Sequence, residues 1–192
     1  HPGLALSKRT CAFLASIEKQ IHWFREAYPQ RRQLDTWLMY FIGLTEPLSV
    51  NVIQSTCRKF AYRRGEAKTI LAYKKLAASA RFIKKLSQSK IRPSEIFNLL
   101  EPVSYEVIIL IKAKFSNRHI ARHIRDFLKI HNGTRLHICG KDLQELGLAP
   151  GPQYQAILRR VLNAKLNGLV KTKEEELAFI KKLVTKYTFI SA

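Results

Sequence analysis

The sequence predicts an all-α fold, and three observations carry that prediction. Apolar residues recur with a period near 3.6 along almost the whole chain, no alternating run is long enough to build a sheet, and Ser, Asn, Gly and Pro fall where such helices would begin and end. The chain has 192 residues, 46% of them hydrophobic, enough to bury a core as one or two domains.

About ten helices follow in order. Ser7 begins the first, with Phe13, Leu14, Ile17, Ile21 and Phe24 on one face, and it ends before Pro29, whose ring disfavours helix at the residue ahead of it. A second runs from about Leu34 to Leu44. Ser49 caps a third with Val52, Ile53, Cys57 and Phe60 inward, and Gly65 separates it from a longer helix that ends near Leu86. The polar, proline-containing stretch LSQSKIRPSE at 86–95 marks a boundary between a helical body, 1–90, and a smaller helical tail, 91–192. In the tail, Pro93 starts a helix through Leu100, Ser104 caps one through Phe115, and Asn117 precedes one that ends near His131 and Gly133.

The stretch GKDLQELGLAPGPQY at 140–154 predicts a tight helix-turn-helix. Lys141 to Leu146 forms a short helix that Gly147 stops, and Pro152 suits the first position of the next, whose Tyr154, Ile157, Leu158, Val161 and Leu162 keep helical spacing until Gly168. The free amides at the second helix's start, near Gly151, together with Lys141, suit an anion. Thr172 and Glu175 form a capping box that launches a last helix with Leu177, Ile180, Leu183 and Val184 on its apolar face.

Charge is the dominant compositional fact. Lys and Arg number 34 against 14 acids, a formal net charge of +20, and self-repulsion on that scale calls for a polyanion or an anionic surface. From Arg58 to Arg92 the only acid is Glu66, so the i,i+4 pairs of an ordinary solvated face are missing. Arg63, Arg64 and Lys68 are candidate phosphate contacts there. A second cluster, Lys112, Lys114, Arg118, Arg122, Arg125 and Lys129, puts the last four on one helix stripe suited to a phosphate track. His119 and His123 share i,i+4 spacing within it, but the glutamate of HExxH and a third ligand are missing, so no metal is assigned. Trp23, Trp37, Tyr40, Phe41 and Phe97 lie on apolar faces and are read as core rather than as base-stacking platforms.

Several function classes are not indicated. The longest apolar runs fall far short of the roughly 20 residues that cross a bilayer. Cys11, Cys57 and Cys139 are odd in number and lack CxxC spacing, which predicts a reducing cytoplasm. No Walker loop, GxSxG or DxD occurs, and the close acids Glu174, Glu175 and Glu176 stand at a helix start, where capping and the dipole account for them. No catalytic residue is assigned. A chain that opens on His1 suggests a processed product or a piece of a longer protein.

The segment CGKDLQELGLAPGPQYQAILRRVLNAKLNGLVKTKEEELAFIKKLV, 139–184, resembles the C-terminal region of bacterial tRNA nucleotidyltransferases, in the family shared with poly(A) polymerases. The G-K-D-L, L-G-L-x-P-G-P and T-x-E-E-E elements carry the likeness. HWFREAYPQRRQLDTWLMYFIGLTEPLS at 22–49 is similar to the family's helical body, and IRPSEIFNLLEPVSYEVIILI at 91–111 to the segment that joins body and tail. Cys139, Gln155 and Asn167 depart from the pattern, which often has threonine, a small residue and aspartate there.

The resemblance implies an RNA-binding body and tail that hold tRNA for 3'-terminal CCA or A addition. A catalytic head, acting in cis or in trans, would use magnesium with CTP or ATP, and this chain would need no cofactor of its own. A free-standing basic helical nucleic-acid-binding adaptor is the alternative, and a helical module that meets an acidic protein or an anionic membrane is a third reading.

Overall fold

Side-chain caps fix where the helices start. Ser7 accepts from the Thr10 amide at 3.1 Å and opens α1 (Lys8–Ala27), Asp35 accepts from Leu38 N at 3.1 Å and opens α2 (Thr36–Leu44), and Ser49 accepts from Val52 N at 3.4 Å and opens α3 (Val50–Lys59). The computed structural model describes residues 6–188, with side chains through 183. His1 and the side chain of Val184 lie outside them. Among the described residues there are eleven α-helices, one 3-10 turn and no strand.

One helix predicted to run from Gly65 to Leu86 is two, α4 (Arg64–Ala78) and α5 (Ala80–Leu86). Ser79 separates them: its backbone leaves the helical region at ψ 99°, and its hydroxyl accepts from Phe82 N at 3.3 Å, a bond that competes with helix continuation. The remaining helices are α6 (Pro93–Leu100), α7 (Tyr105–Lys114), α8 (Arg118–Lys129), α9 (Gly140–Glu145), α10 (Gln153–Leu166) and α11 (Lys173–Thr188). Ser104 stands at the N-cap of α7, yet its hydroxyl is buried and makes no capping bond. The capping box of α11 is present, with Glu175 N on Thr172 Oγ1 at 3.3 Å and Thr172 N on Glu175 Oε2 at 3.4 Å.

The chain forms two compact units. The first comprises the chain up to Ser89 and Leu99–Arg125, and the second Lys90–Asn98 and Asp126 onward. A single cut at residue 90 does not describe this division, because α7 belongs with the helices that precede it. Its residues Glu106 to Ile111 and Ala113 are all buried, the central run Val107–Ile111 being apolar on every side, and it packs on α1, α2 and α4. At one end Glu106, 3% exposed, accepts both arms of Arg32 at 2.8 and 3.0 Å and the Asp35 amide at 3.2 Å. Burial pushes that carboxyl up, but the Arg32 pair and the backbone amides that bond it together outweigh burial, and the net shift is downward. Gly43 lets α1 and α2 approach: a Cβ there would stand 2.6 Å from Ile17 Cδ1.

The second unit closes on Ile138, Leu143, Val161, Ala164, Val170 and Ile180. Two of its helices end alike. Gly147, at φ 79°, donates to Gln144 O while Leu148 N bonds Leu143 O, and Gly168, at φ 76°, repeats the pattern with Lys165 and Ala164. The same pair of bonds ends α3 in the first unit, Ala61 N to Arg58 O and Tyr62 N to Cys57 O, but there the left-handed residue is Ala61, at φ 49°. Alanine in that conformation costs about 1 kcal/mol more than glycine.

Candidate nucleic-acid interface

The α8 stripe forms as its spacing predicts. Asn117 Oδ1 accepts from His119 N at 2.8 Å and Ile120 N at 3.2 Å, which sets the first turn, and Ile120 and Ile124 are buried. His123 is buried as well, its Nε2 donating to Gln88 O at 2.9 Å. These inward residues turn Arg118, Arg122 and Arg125 to solvent, and Lys129 is exposed on the helix's last turn. Arg122 also donates to Ser89 O at 2.5 Å, which orients it. Desolvation, with Arg118 and Arg122 close by, holds the His119 imidazole below the ordinary histidine range. Among the described residues no group of three or more His, Cys, Asp or Glu is placed to hold a metal ion.

Arg63, Arg64 and Lys68 are exposed at the start of α4, as are Arg58 and Lys59 at the end of α3. Three other cations of the two clusters are spent inside the first unit. Lys74 Nζ donates to Glu46 O at 2.5 Å and Leu48 O at 2.7 Å, and Lys114 pairs with Glu46 Oε1 at 2.6 Å. Lys112 lies 3.4 Å from the centre of the Trp23 ring and bonds Gln20, and burial, with Arg125 and Lys19 adding repulsion, pushes its ammonium down to about 8. The signal for Lys112 and Lys114 was in the sequence: they flank Ala113 on a helix that has no outward face.

The aromatic residues part company with the core reading. Phe97 is buried and Trp23 and Phe41 are half-buried, but Trp37 is 55% exposed, Tyr40 38% and Phe60, predicted inward, 68%. Amphipathic spacing shows which side of a helix is apolar, whereas the neighbours that cover it come from elsewhere in the chain. Among the described residues this part of α2 and the end of α3 are covered only in part.

In the second unit the helix-turn-helix is α9, its turn and α10. Tyr154 packs beside Gly140 at the start of α9, and its hydroxyl donates to Leu148 O at 2.6 Å. Pro152 occupies the N-cap of α10 rather than its first turn. Lys141 is exposed, and Gly151 is half-buried with its carbonyl accepting from Tyr154 N at 3.0 Å. Asp142, next to Lys141, has a structural role: its Oδ2 accepts from Cys139 N at 2.7 Å and its Oδ1 from Lys173 Nζ at 2.7 Å. Asp142, in the first turn of α9, thus reaches back to the N-cap amide as one half of a capping box with Cys139. Asn167 accepts from Ser94 N at 3.1 Å, an acceptor for the first turn of α6.

The Lys173 and Cys139 bonds hold the Asp142 carboxyl down at about 2. A group with a depressed folded pKa contributes stability above its ordinary range that is lost as pH falls through the folded value. The second unit is therefore expected to lose stability as pH drops from about 4 toward 2, and Asp142→Asn to flatten that part of the profile. Thermal melts across this window, with identical slopes for both forms, would refute the assignment.

Sequence reasoning missed Glu176. It is fully buried, with Oε2 accepting from the amides of His137 at 2.9 Å and Ile138 at 3.2 Å, and Oε1 accepting from Lys165 Nζ at 2.7 Å. The His137 ring stands 3.4 Å from the same oxygen. Of the EEE run, Glu175 serves the capping box and Glu176 ties the 137–138 segment to α10.

No family model matches the chain. Over 186 residues it is 30% identical to an A-adding tRNA nucleotidyltransferase of Geobacter sulfurreducens, a match that takes in 95% of this chain and 21% of that protein. The chain is similar to part of this A-adding tRNA nucleotidyltransferase. It spans about a fifth of this curated relative. Its fold is similar to that of a Thermotoga maritima CCA-adding enzyme complexed with tRNA, with a TM-score of 0.74 and 20% identity over 95% of this chain and 43% of that one. A CCA-adding enzyme in complex with CTP gives 0.72, again at 20% identity, over 95% of this chain and 42% of the other. Among the described residues no helix is long and apolar enough to cross a membrane.

Proposed function

We propose that this chain is an RNA-binding portion of a tRNA nucleotidyltransferase, and that it positions tRNA for 3'-terminal addition of CCA or A by a catalytic head outside this sequence. The observation that carries the reading is the exposed, regularly spaced row Arg118, Arg122, Arg125, with a second exposed basic segment at Arg63, Arg64 and Lys68. Side chains about 6 Å apart along one helix match a phosphate track. Recognition goes by backbone and duplex shape, since helices cannot reach base edges in A-form grooves. Lys141 and the turn at Gly151 would add a phosphate contact in the second unit.

The chemistry belongs to the head. Magnesium with CTP or ATP would be held by that head; in this chain Glu175 is engaged in a cap and Glu176 is buried against Lys165. What this chain supplies is a hold that fixes how far the 3' end of the tRNA reaches.

With six to eight phosphate contacts, log K for tRNA should fall against log salt with a slope of about -0.7 to -0.9 per contact. Filter binding of tRNA across 50 to 300 mM salt checks it. A slope near zero counts against the proposal, and equal affinity for tRNA and duplex DNA would favour a general nucleic-acid adaptor.

A further inference from the structure

The exposed aromatic cluster of the first unit is built of stacked rings. Trp37 and Phe41 lie 5.7 Å apart with planes 13° from parallel, and Trp37 and Tyr62 lie 5.8 Å apart at 28°. Phe41 and Tyr62 close the group at 5.2 Å. Tyr62 reaches this stack from the turn after α3, where Ala61 takes the left-handed conformation that the second unit gives to glycine. Strain held at an exposed turn has to be offset by the arrangement that it holds, and here it seats Tyr62 on Trp37 and leaves Phe60 outside.

Cations surround the rings in the chain. Arg58 and Lys59 precede the turn and Arg63 and Arg64 follow Tyr62, all four exposed, and among the described residues their side chains make no ion pair or hydrogen bond. An apolar protein segment would leave this charge unanswered, whereas a nucleotide offers a flat base and a phosphate together. Each aromatic face accepts any base, because every base has a π-face.

We infer that Trp37, supported by Phe41 and Tyr62, is a stacking platform for an unpaired nucleotide of the bound RNA, with Arg58, Lys59, Arg63 and Arg64 on its phosphates. This rests on the RNA-binding reading and adds a single-strand subsite to it, separate in chemistry from the α8 stripe.

The chain has two tryptophans, so Trp23→Phe leaves Trp37 as sole reporter. A single-stranded oligoribonucleotide of about eight residues should quench its fluorescence saturably, and a blunt RNA duplex should not. Trp37→Ala should weaken binding of the single strand about 5- to 150-fold and of the duplex less than about twofold, leaving the salt slope unchanged, while Trp37→Phe retains most of the affinity. Should Trp37→Ala fail to fold, the quenching experiment decides alone. Silent fluorescence at saturating single strand, an equal loss for strand and duplex, or conversion of a dimer to a monomer by Trp37→Ala in sedimentation each overturn the platform. If tRNA and duplex still bind, only the platform falls; if no RNA binds at all, the proposed function falls with it.

Discussion

Glu176→Ala is expected to destabilise the second unit by about 3 to 5 kcal/mol, because it removes one partner of a buried ion pair and leaves Lys165 without its counter-charge. The amides of His137 and Ile138 lose their acceptor at the same time, each worth about 1 to 3 kcal/mol when left unsatisfied in a dry site. Against a typical domain stability of about 5 to 15 kcal/mol, that removes a large share. Hydrogen exchange read residue by residue should show α10 and the 137–138 segment losing protection while α1, α4 and α7 keep theirs. Glu176→Gln, which retains an acceptor but no charge, should fall between the two. Protection unchanged in the alanine variant would mean that the carboxylate is not what holds this segment.

Replacing Arg118, Arg122 and Arg125 together with glutamine is expected to flatten the salt dependence of tRNA binding by about 2 to 3 in slope, at about 0.7 to 0.9 for each phosphate no longer neutralised. Affinity at low salt should drop tenfold or more, uniformly across tRNA species, because side chains on phosphates carry no sequence information. Helicity should hold, since the three side chains face water and the buried Ile120 and Ile124 that seat α8 are untouched. Adding Lys141→Gln should reduce the slope by roughly one phosphate more. Affinity equal to that of the unaltered chain with all four positions replaced would retire the phosphate track.

Most helices were legible from the sequence because local chemistry decides them. Ser7, Ser49, Asn117 and the Thr172 box all stand where spacing placed them, and Gly147 and Gly168 end helices at positive φ as a stop signal implies. The break at Ser79 was hidden, since a serine in a helical run is ambiguous until its hydroxyl finds an amide. The α8 stripe was legible because one helix sets both its faces. The inward turn of Lys74 was not, because the carbonyls of Glu46 and Leu48 that receive it come from elsewhere in the chain; for Lys112 and Lys114 the burial of α7 gave the signal, but not the partners Trp23 and Glu46. The same reason hid the exposure of Trp37 and Phe60 and the burial of Glu176: each depends on what lies opposite, and one sequence window does not contain it.

The place of α7 determines where this polypeptide can be shortened. A version stopping at Ser89 would lack the buried helix against which α1, α2 and α4 are built. Its hydrophobic faces would meet solvent or one another, so such a truncation invites insolubility. A trimmed first unit therefore has to run on to Arg125, carrying Pro93–Leu100 along with it.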